Sequence, residues 1–207
     1  MASPTYPLTM PTSPGFTTSE WNIVKTVSMT QSPYTYAQQV AEFEGSLWTT
    51  VVSLPPMKRS QAGVWQAFFM QLHGMKGTFL IGDPDGKTLL GSLTNTIQVN
   101  GDHSVGAFDV VIDGANTSTT IFKAGDYVQF GSGASSKLHM IVSDVTSDSS
   151  GNATLPIEPP LKSSLSDDAS VVTSSTKAVM RMNTNELGWS ASKISLYGIS
   201  FACTESL

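Results

Sequence analysis

The chain has 207 residues, with 11 Lys and Arg against 16 Asp and Glu and a net charge of −5. Without a basic cluster it cannot neutralise nucleic-acid phosphates, which excludes sequence-specific nucleic-acid binding. Apolar residues make up 40% of the chain, with four Trp and nine Phe, enough to build a core without disulfides or metals and to exclude disorder throughout.

Only 13% of residues are charged, against a usual figure of about 25%, while Ser and Thr make up about a quarter. Surface helices draw on Glu, Lys and Arg, whereas Thr and the β-branched residues suit a half-buried strand, so the composition predicts a mainly β protein. The length allows one large domain or two small ones. The lone Cys203 has no disulfide partner and lies in a strand-like segment, which predicts a small buried hydrophobe. No signal-peptide pattern opens the chain and no run approaches 18 apolar residues, so synthesis and folding in the cytoplasm, with no membrane segment, are expected.

Residues 1–19 hold Pro4, Pro7, Pro11 and Pro14, the aromatics Tyr6 and Phe16, and no charge. Four prolines forbid helix or central strand, so the segment reads as an extended arm. Its reach, and its apolar side chains, predict that it becomes ordered on a neighbouring subunit. From Trp21 the chain alternates, with Trp21, Ile23, Val27 and Met29 on one face and Asn22, Thr26 and Ser28 on the other, which is a strand. After a loop with Pro33, Tyr34 and Tyr36, residues 38–43 and 47–54 flank Glu44-Gly45-Ser46 and read as a hairpin.

Pro55-Pro56 stops that strand, and a helix of about 58–73 follows, with Ala62, Trp65, Phe68, Phe69 and Leu72 at helical spacing and Gly74 closing it. Lys58-Arg59, the longest basic run, reads as a solvated helix start. Residues 78–81 form a short strand before the turn Gly82-Asp83-Pro84-Asp85-Gly86. After Lys87, Ser, Thr, Asn and Gly dominate and short β runs recur at 96–99, 107–112, 126–130, 138–144, 153–157 and 169–173. The Trp- and Phe-rich texture returns at Lys177, with strands at 178–182 and in the final run from Ile194 to Cys203. These shifts predict two β-barrel or sandwich domains. The first is discontinuous, residues 20–87 plus 177–207, and carries the helix; the second, 88–176, is inserted into it. The final run needs partners, and the strands at Trp21–Met29 or Trp48–Leu54 can supply them.

Motifs that could carry chemistry are weak. Asp83-Pro84-Asp85-Gly86 starts like a calcium loop but lacks the later oxygen position and the closing Glu. His73, His103 and His139 share no metal-ligand spacing. Ser174-Ser175-Thr176-Lys177 has the Ser-x-x-Lys spacing of penicillin-binding enzymes, but off a helix. Gly131-Ser132-Gly133 lacks the end of a phosphate loop and reads as hairpin chemistry. Asn116-Thr117-Ser118 and Asn152-Ala153-Thr154 match a glycosylation pattern that has no meaning without secretion. No acid, base and supporting third group can be named, so no catalytic site, cofactor or metal is expected.

Three segments together carry a resemblance: Leu54-Pro55-Pro56-Met57 leading into Gln61-Ala62-Gly63, then Gly77-Thr78-Phe79-Leu80-Ile81-Gly82-Asp83-Pro84-Asp85-Gly86, and Asn185-Glu186-Leu187-Gly188-Trp189 with Gly198-Ile199-Ser200-Phe201. They resemble tail proteins of long-tailed bacteriophages, and the layout is most similar to the distal tail protein family. Ala124-Gly125-Asp126-Tyr127-Val128-Gln129 and Ser150-Gly151-Asn152-Ala153-Thr154 look like the inserted β domain of such proteins. The resemblance implies a virion component of the tail tip: a homo-oligomeric, hexameric ring joining the tail tube to the tip or baseplate around the DNA channel. Tube proteins and hub or fibre proteins would be its partners. Tyr6, Phe16, Tyr34 and Tyr36 are the candidate assembly contacts. The alternative is a carbohydrate-binding or receptor-attachment module in residues 88–176, whose aromatics are Phe108, Phe122, Tyr127 and Phe130, with no Trp. A peptidoglycan hydrolase would need a metal cluster or carboxylate pair that the sequence does not offer.

Overall fold

The computed structural model describes residues 4–192 and 196–207. In chain order the elements are β1 (Thr18–Gln31), β2 (Gln38–Ser53), β3 (Met57–Lys58), α1 (Arg59–Leu72), β4 (Thr78–Ile81), β5 (Gln98–Val99), β6 (Asp109–Asp113), β7 (Thr120–Phe122), β8 (Tyr127–Phe130), β9 (Lys137–Ile141), β10 (Val145–Thr146), β11 (Ala153–Glu158), β12 (Val171–Val172), β13 (Ala178–Met182), β14 (Ser190–Ala191), β15 (Leu196–Gly198) and β16 (Ser200–Glu205). The protein is mainly β, as the composition predicts.

Antiparallel pairing orders one sheet β1-β2-β16-β13-β4, and α1 covers it. The helix forms because Ala62, Trp65, Phe68, Phe69 and Leu72 make one apolar stripe, and those five are its buried residues. Trp65 meets Phe68, Phe69 and Phe201 with ring centroids 6.0–6.2 Å apart. Truncating such a fully buried Trp to Ala costs about 3–5 kcal/mol. The helix ends one residue earlier than Gly74: His73 is itself left-handed (φ 54°, ψ 48°), and its N–H donates to Met70 O. Gly74 follows at φ 68°, a conformation that suits a residue without a Cβ. The last strand pairs as expected: β16 runs beside β2 from Ser200↔Ser53 to Thr204↔Thr49, with β13 on its other side. Ile194, the start of the expected final run, lies outside the described residues.

The expected hairpin at Glu44-Gly45-Ser46 does not exist. β2 continues through these residues, and the chain reverses at residues 32–37, where Ser32 N donates to Ala37 O and Tyr36 N to Ser32 O. Gly45 marks a bulge: pairing jumps from Lys25↔Ser46 to Val27↔Glu42, leaving more residues on β2 than on β1 between those pairs. A Cβ on Gly45 would stand 2.8 Å from Thr26 Oγ1. Glycine inside a strand pattern can mean a turn or a close approach, and here it is the approach.

A second set of strands is ordered β12-β8-β9-β11-β6-β5. An isolated bridge, Gln98↔Ser170, brings the β5 end back beside β12, so this sheet nearly closes into a barrel. Ile97, Ile112, Ile121, Phe122, Val128, Phe130, Ile141 and Leu155 fill it, a buried cluster separate from the one beneath α1. Strands β7 and β10, a small paired sheet, escaped the sequence reading because three- and two-residue runs carry too little alternation to register.

The N-terminal arm corrects another expectation. Instead of reaching a neighbour, it lies on its own core: Tyr6, Leu8, Met10 and Phe16 pack against the α1 cluster. Leu8 N donates to Thr78 O at 2.8 Å and bridges Phe79, and Tyr6 Oη donates to Gln71 O at 2.9 Å. The segment therefore covers the β4 edge of the sheet, an edge that would otherwise present unpaired backbone groups.

Candidate functional site

The motifs with chemical potential resolve into turns and core contacts. In the Asp83 turn, Oδ1 accepts from Asp85 N at 3.1 Å, and Oδ2 accepts from the Tyr127 hydroxyl at 3.2 Å. Burial, then the Asp83 charge, pushes the Tyr127 phenol above its ordinary range. His73 is exposed at the helix end, and His103 Nε2 accepts from Val111 N at 3.2 Å. His139 is fully buried with Nδ1 2.7 Å from Pro159 O, and burial holds its pKa down at about 4. No group of three His, Cys, Asp or Glu that could hold a metal occurs among the described residues.

Cys203 is 1% exposed, and burial pushes its thiol up to about 12, which keeps it a protonated, unreactive core residue near neutral pH. Ser174 to Lys177 lie in the loop between β12 and β13, with Ser175 at φ 50° and Lys177 N donating to Gln129 Oε1. Gly131-Ser132-Gly133 joins β8 to β9. The Asn116 side chain ties residues 94–95 by accepting from Thr94 N, and Asn152 closes a turn on Asp148. Lys58 and Arg59 are exposed at the helix start, as read from sequence.

Two carboxylates hold structure in ways the sequence reading missed. Asp126, 3% exposed, accepts from the backbone N–H of Leu90, Gly91 and Lys123 and so pins residues 90–91 to the barrel. Its signal was the Ala124-Gly125-Asp126 turn. Glu205 has a fully buried side chain; its Oε2 accepts from Trp48 N at 3.0 Å and pairs with Lys162 Nζ. That pair joins two segments with no sequence proximity, so no local pattern could reveal it.

What the fold leaves open is the outer half of the β1–β2 hairpin. Directly opposed residues share a face and faces alternate along a strand. Beyond the bulge, Val27, Met29 and Val40 therefore share one face with Glu42, Gln31 and Gln38, while Ser28, Thr30, Gln39 and Ala41 make the other. The apolar side chains of the first face are uncovered: Val27, Met29 and Val40 are 49%, 58% and 60% exposed. Tyr34 and Tyr36 stand at the tip, 92% and 74% exposed, whereas the other two expected contacts, Tyr6 and Phe16, pack on the chain's own core. Strand β1 is also an edge, 14 residues long, with no strand paired to its outer side among the described residues. Of the aromatics within 88–176, Phe122, Tyr127 and Phe130 are buried and Phe108 is 52% exposed.

No protein-family model matches the chain, and no curated protein matches it. No helix among the described residues is long and apolar enough to cross a membrane.

Proposed function

We propose that this chain is a structural virion protein, a ring-forming distal tail protein that joins a phage tail tube to the tail tip or baseplate around the DNA channel. The observation that carries the reading is the β1–β2 hairpin. A long edge strand backed by exposed Val27, Met29 and Val40 is an aggregation hazard on a monomer and an ordinary interface inside an oligomer. The opposite face, Ser28, Thr30, Gln39 and Ala41, is uncharged, as suits a lumen through which DNA passes without being held. Tyr34 and Tyr36 at the tip remain contact residues toward neighbouring copies, the tube protein or the hub.

The same reading makes the molecule two β units, with residues 88–176 inserted into the unit built from the flanking segments. Its support is the pair of buried clusters and the way the chain crosses between them. The outgoing and returning passages run side by side, with Ala178 paired to Ile81 and Ser175 N donating to Lys87 O at 2.9 Å. In a ring of six, the inserted unit would face outward. No catalytic role accompanies this function. The sugar-binding alternative is left with Phe108 as its one exposed aromatic platform within 88–176.

The test is to replace residues 27–42 by a short Gly-Ser turn and follow the mass in solution by sedimentation velocity. The shortened chain should keep its circular dichroism and lose self-association; association equal to that of the intact chain would contradict the role of the hairpin.

A further inference from the structure

The base of the hairpin carries a cleft that the ribbon itself does not need. Glu42, Phe43 and Glu44 line it together with Gly106, Phe108 and Pro160, enclosing about 220 Å³. Its two aromatic walls are more than half exposed, Phe43 at 57% and Phe108 at 52%. Lys25 also borders it but is engaged by Glu158 at 3.1 Å. Glu42 and Glu44 are exposed and have no cation within ion-pair distance among the described residues.

The complementary surface lies elsewhere on the same chain. Lys58 and Arg59 are both exposed and likewise without an ion pair among the described residues. Beside them, α1 presents Gly63, Val64, Ala67 and Met70 to solvent, and from Ser60 to Leu72 it has no charged side chain. The two surfaces sit at opposite ends of the sheet. β2 runs on from Glu44 to Ser53, about 30 Å at the rise of a strand, so they meet only between molecules.

We infer that Glu42, Phe43, Glu44 and Phe108 of one copy form a socket for Lys58, Arg59 and the adjoining face of α1 of the next copy. This rests on the self-assembly reading and gives it a direction. An Arg guanidinium can lie over a Phe face while pairing with a flanking carboxylate, and exclusion of water by the helix strengthens both contacts. Because socket and plug are different surfaces, the contact can repeat head-to-tail from copy to copy, the kind that closes into a ring when the rotation permits.

Charge reversal tests it. Two variants, E42K/E44K and K58E/R59E, are purified separately, checked by circular dichroism, and measured by sedimentation velocity alone and as a 1:1 mixture. Each alone places like charges across the contact and should weaken association about tenfold or more. The mixture offers a basic socket to an acidic plug and an acidic socket to a basic plug, so alternating copies should assemble to within about threefold of the unaltered chain. Variants that associate normally alone, or a mixture no better than its components, would overturn the inference while leaving self-assembly standing. An unaltered chain that stays monomeric would overturn the self-assembly reading, and this inference with it.

Discussion

Breaking the Lys162–Glu205 pair should unfold the protein far more easily than its surface charges suggest. The Lys162 side chain is 8% exposed and that of Glu205 is fully buried. Burial, the largest influence, pulls the Lys162 pKa down, and the Glu205 charge works against it. Lys162→Met leaves the Glu205 carboxylate without its cation, and Glu205→Gln leaves a buried ammonium without its anion. Removing one member of a buried pair costs about 3–5 kcal/mol, whereas removing both charges together is often close to neutral. In the double variant the amide carbonyl introduced by Glu205→Gln can still accept from Trp48 N, replacing the 3.0 Å bond of the native carboxylate. Each single variant should therefore lose about 3–5 kcal/mol in urea unfolding followed by Trp fluorescence, and the double variant should recover at least about 2 kcal/mol relative to the sum of the two. Single losses below about 1 kcal/mol, the size expected of an exposed pair, or losses that simply add, would refute the reasoning.

His139 should make stability fall in acid. Its folded pKa, about 4, lies below the ordinary value near 6.5, so the unfolded chain binds the proton first; the stabilisation is complete above about pH 6.5 and is lost as pH falls toward 4, by about 2–4 kcal/mol. His139→Gln should flatten that part of the urea-midpoint profile, and an unchanged slope would refute the assignment. Gly82→Ala should destabilise by about 2 kcal/mol or more, because its Cβ would stand 1.9 Å from Thr176 O, backbone that cannot step aside; Gly63→Ala, with open space around it on an exposed helix face, should stabilise by about 0.5–1 kcal/mol. Thermal melts of the two variants should shift in opposite directions. Phe16→Ala should cost about 1–3 kcal/mol as it uncovers Trp65, 6.2 Å away between centroids, and an unchanged melting temperature would mean that the arm contributes nothing to its own core.

Where one face of an element is buried by its own chain, the sequence was legible. The five buried residues of α1, the strand from Thr78 to Ile81 and the strand from Ala178 to Met182 follow directly from apolar spacing. The pairing of the last strand with β2 was legible too, since an apolar strand has to find a partner. Gly45 misled because glycine relieves crowding in a bulge as readily as it turns a chain, and only the partner Thr26 decides between them. The arm misled for a related reason: uncharged, Pro-rich sequence says that a segment is extended and apolar, but not whose core it covers. On the hairpin, strand alternation was visible while exposure was not, because Val27 and Met29 look like core residues in any sequence. The contacts between the barrel and the five-stranded sheet were also hidden. Trp48 Nε1 donates to Leu138 O at 2.9 Å, and Trp48 packs on Tyr127 with centroids 6.1 Å apart, joining residues that lie far apart in the chain.

Assembly of the chain into a ring through its hairpin is tested most directly by single-particle imaging of the purified protein at high concentration. Closed rings of six copies are expected, with the β1–β2 hairpins around a central opening; isolated monomers, or two-fold dimers with the hairpins turned away from the contact, would contradict the proposed function.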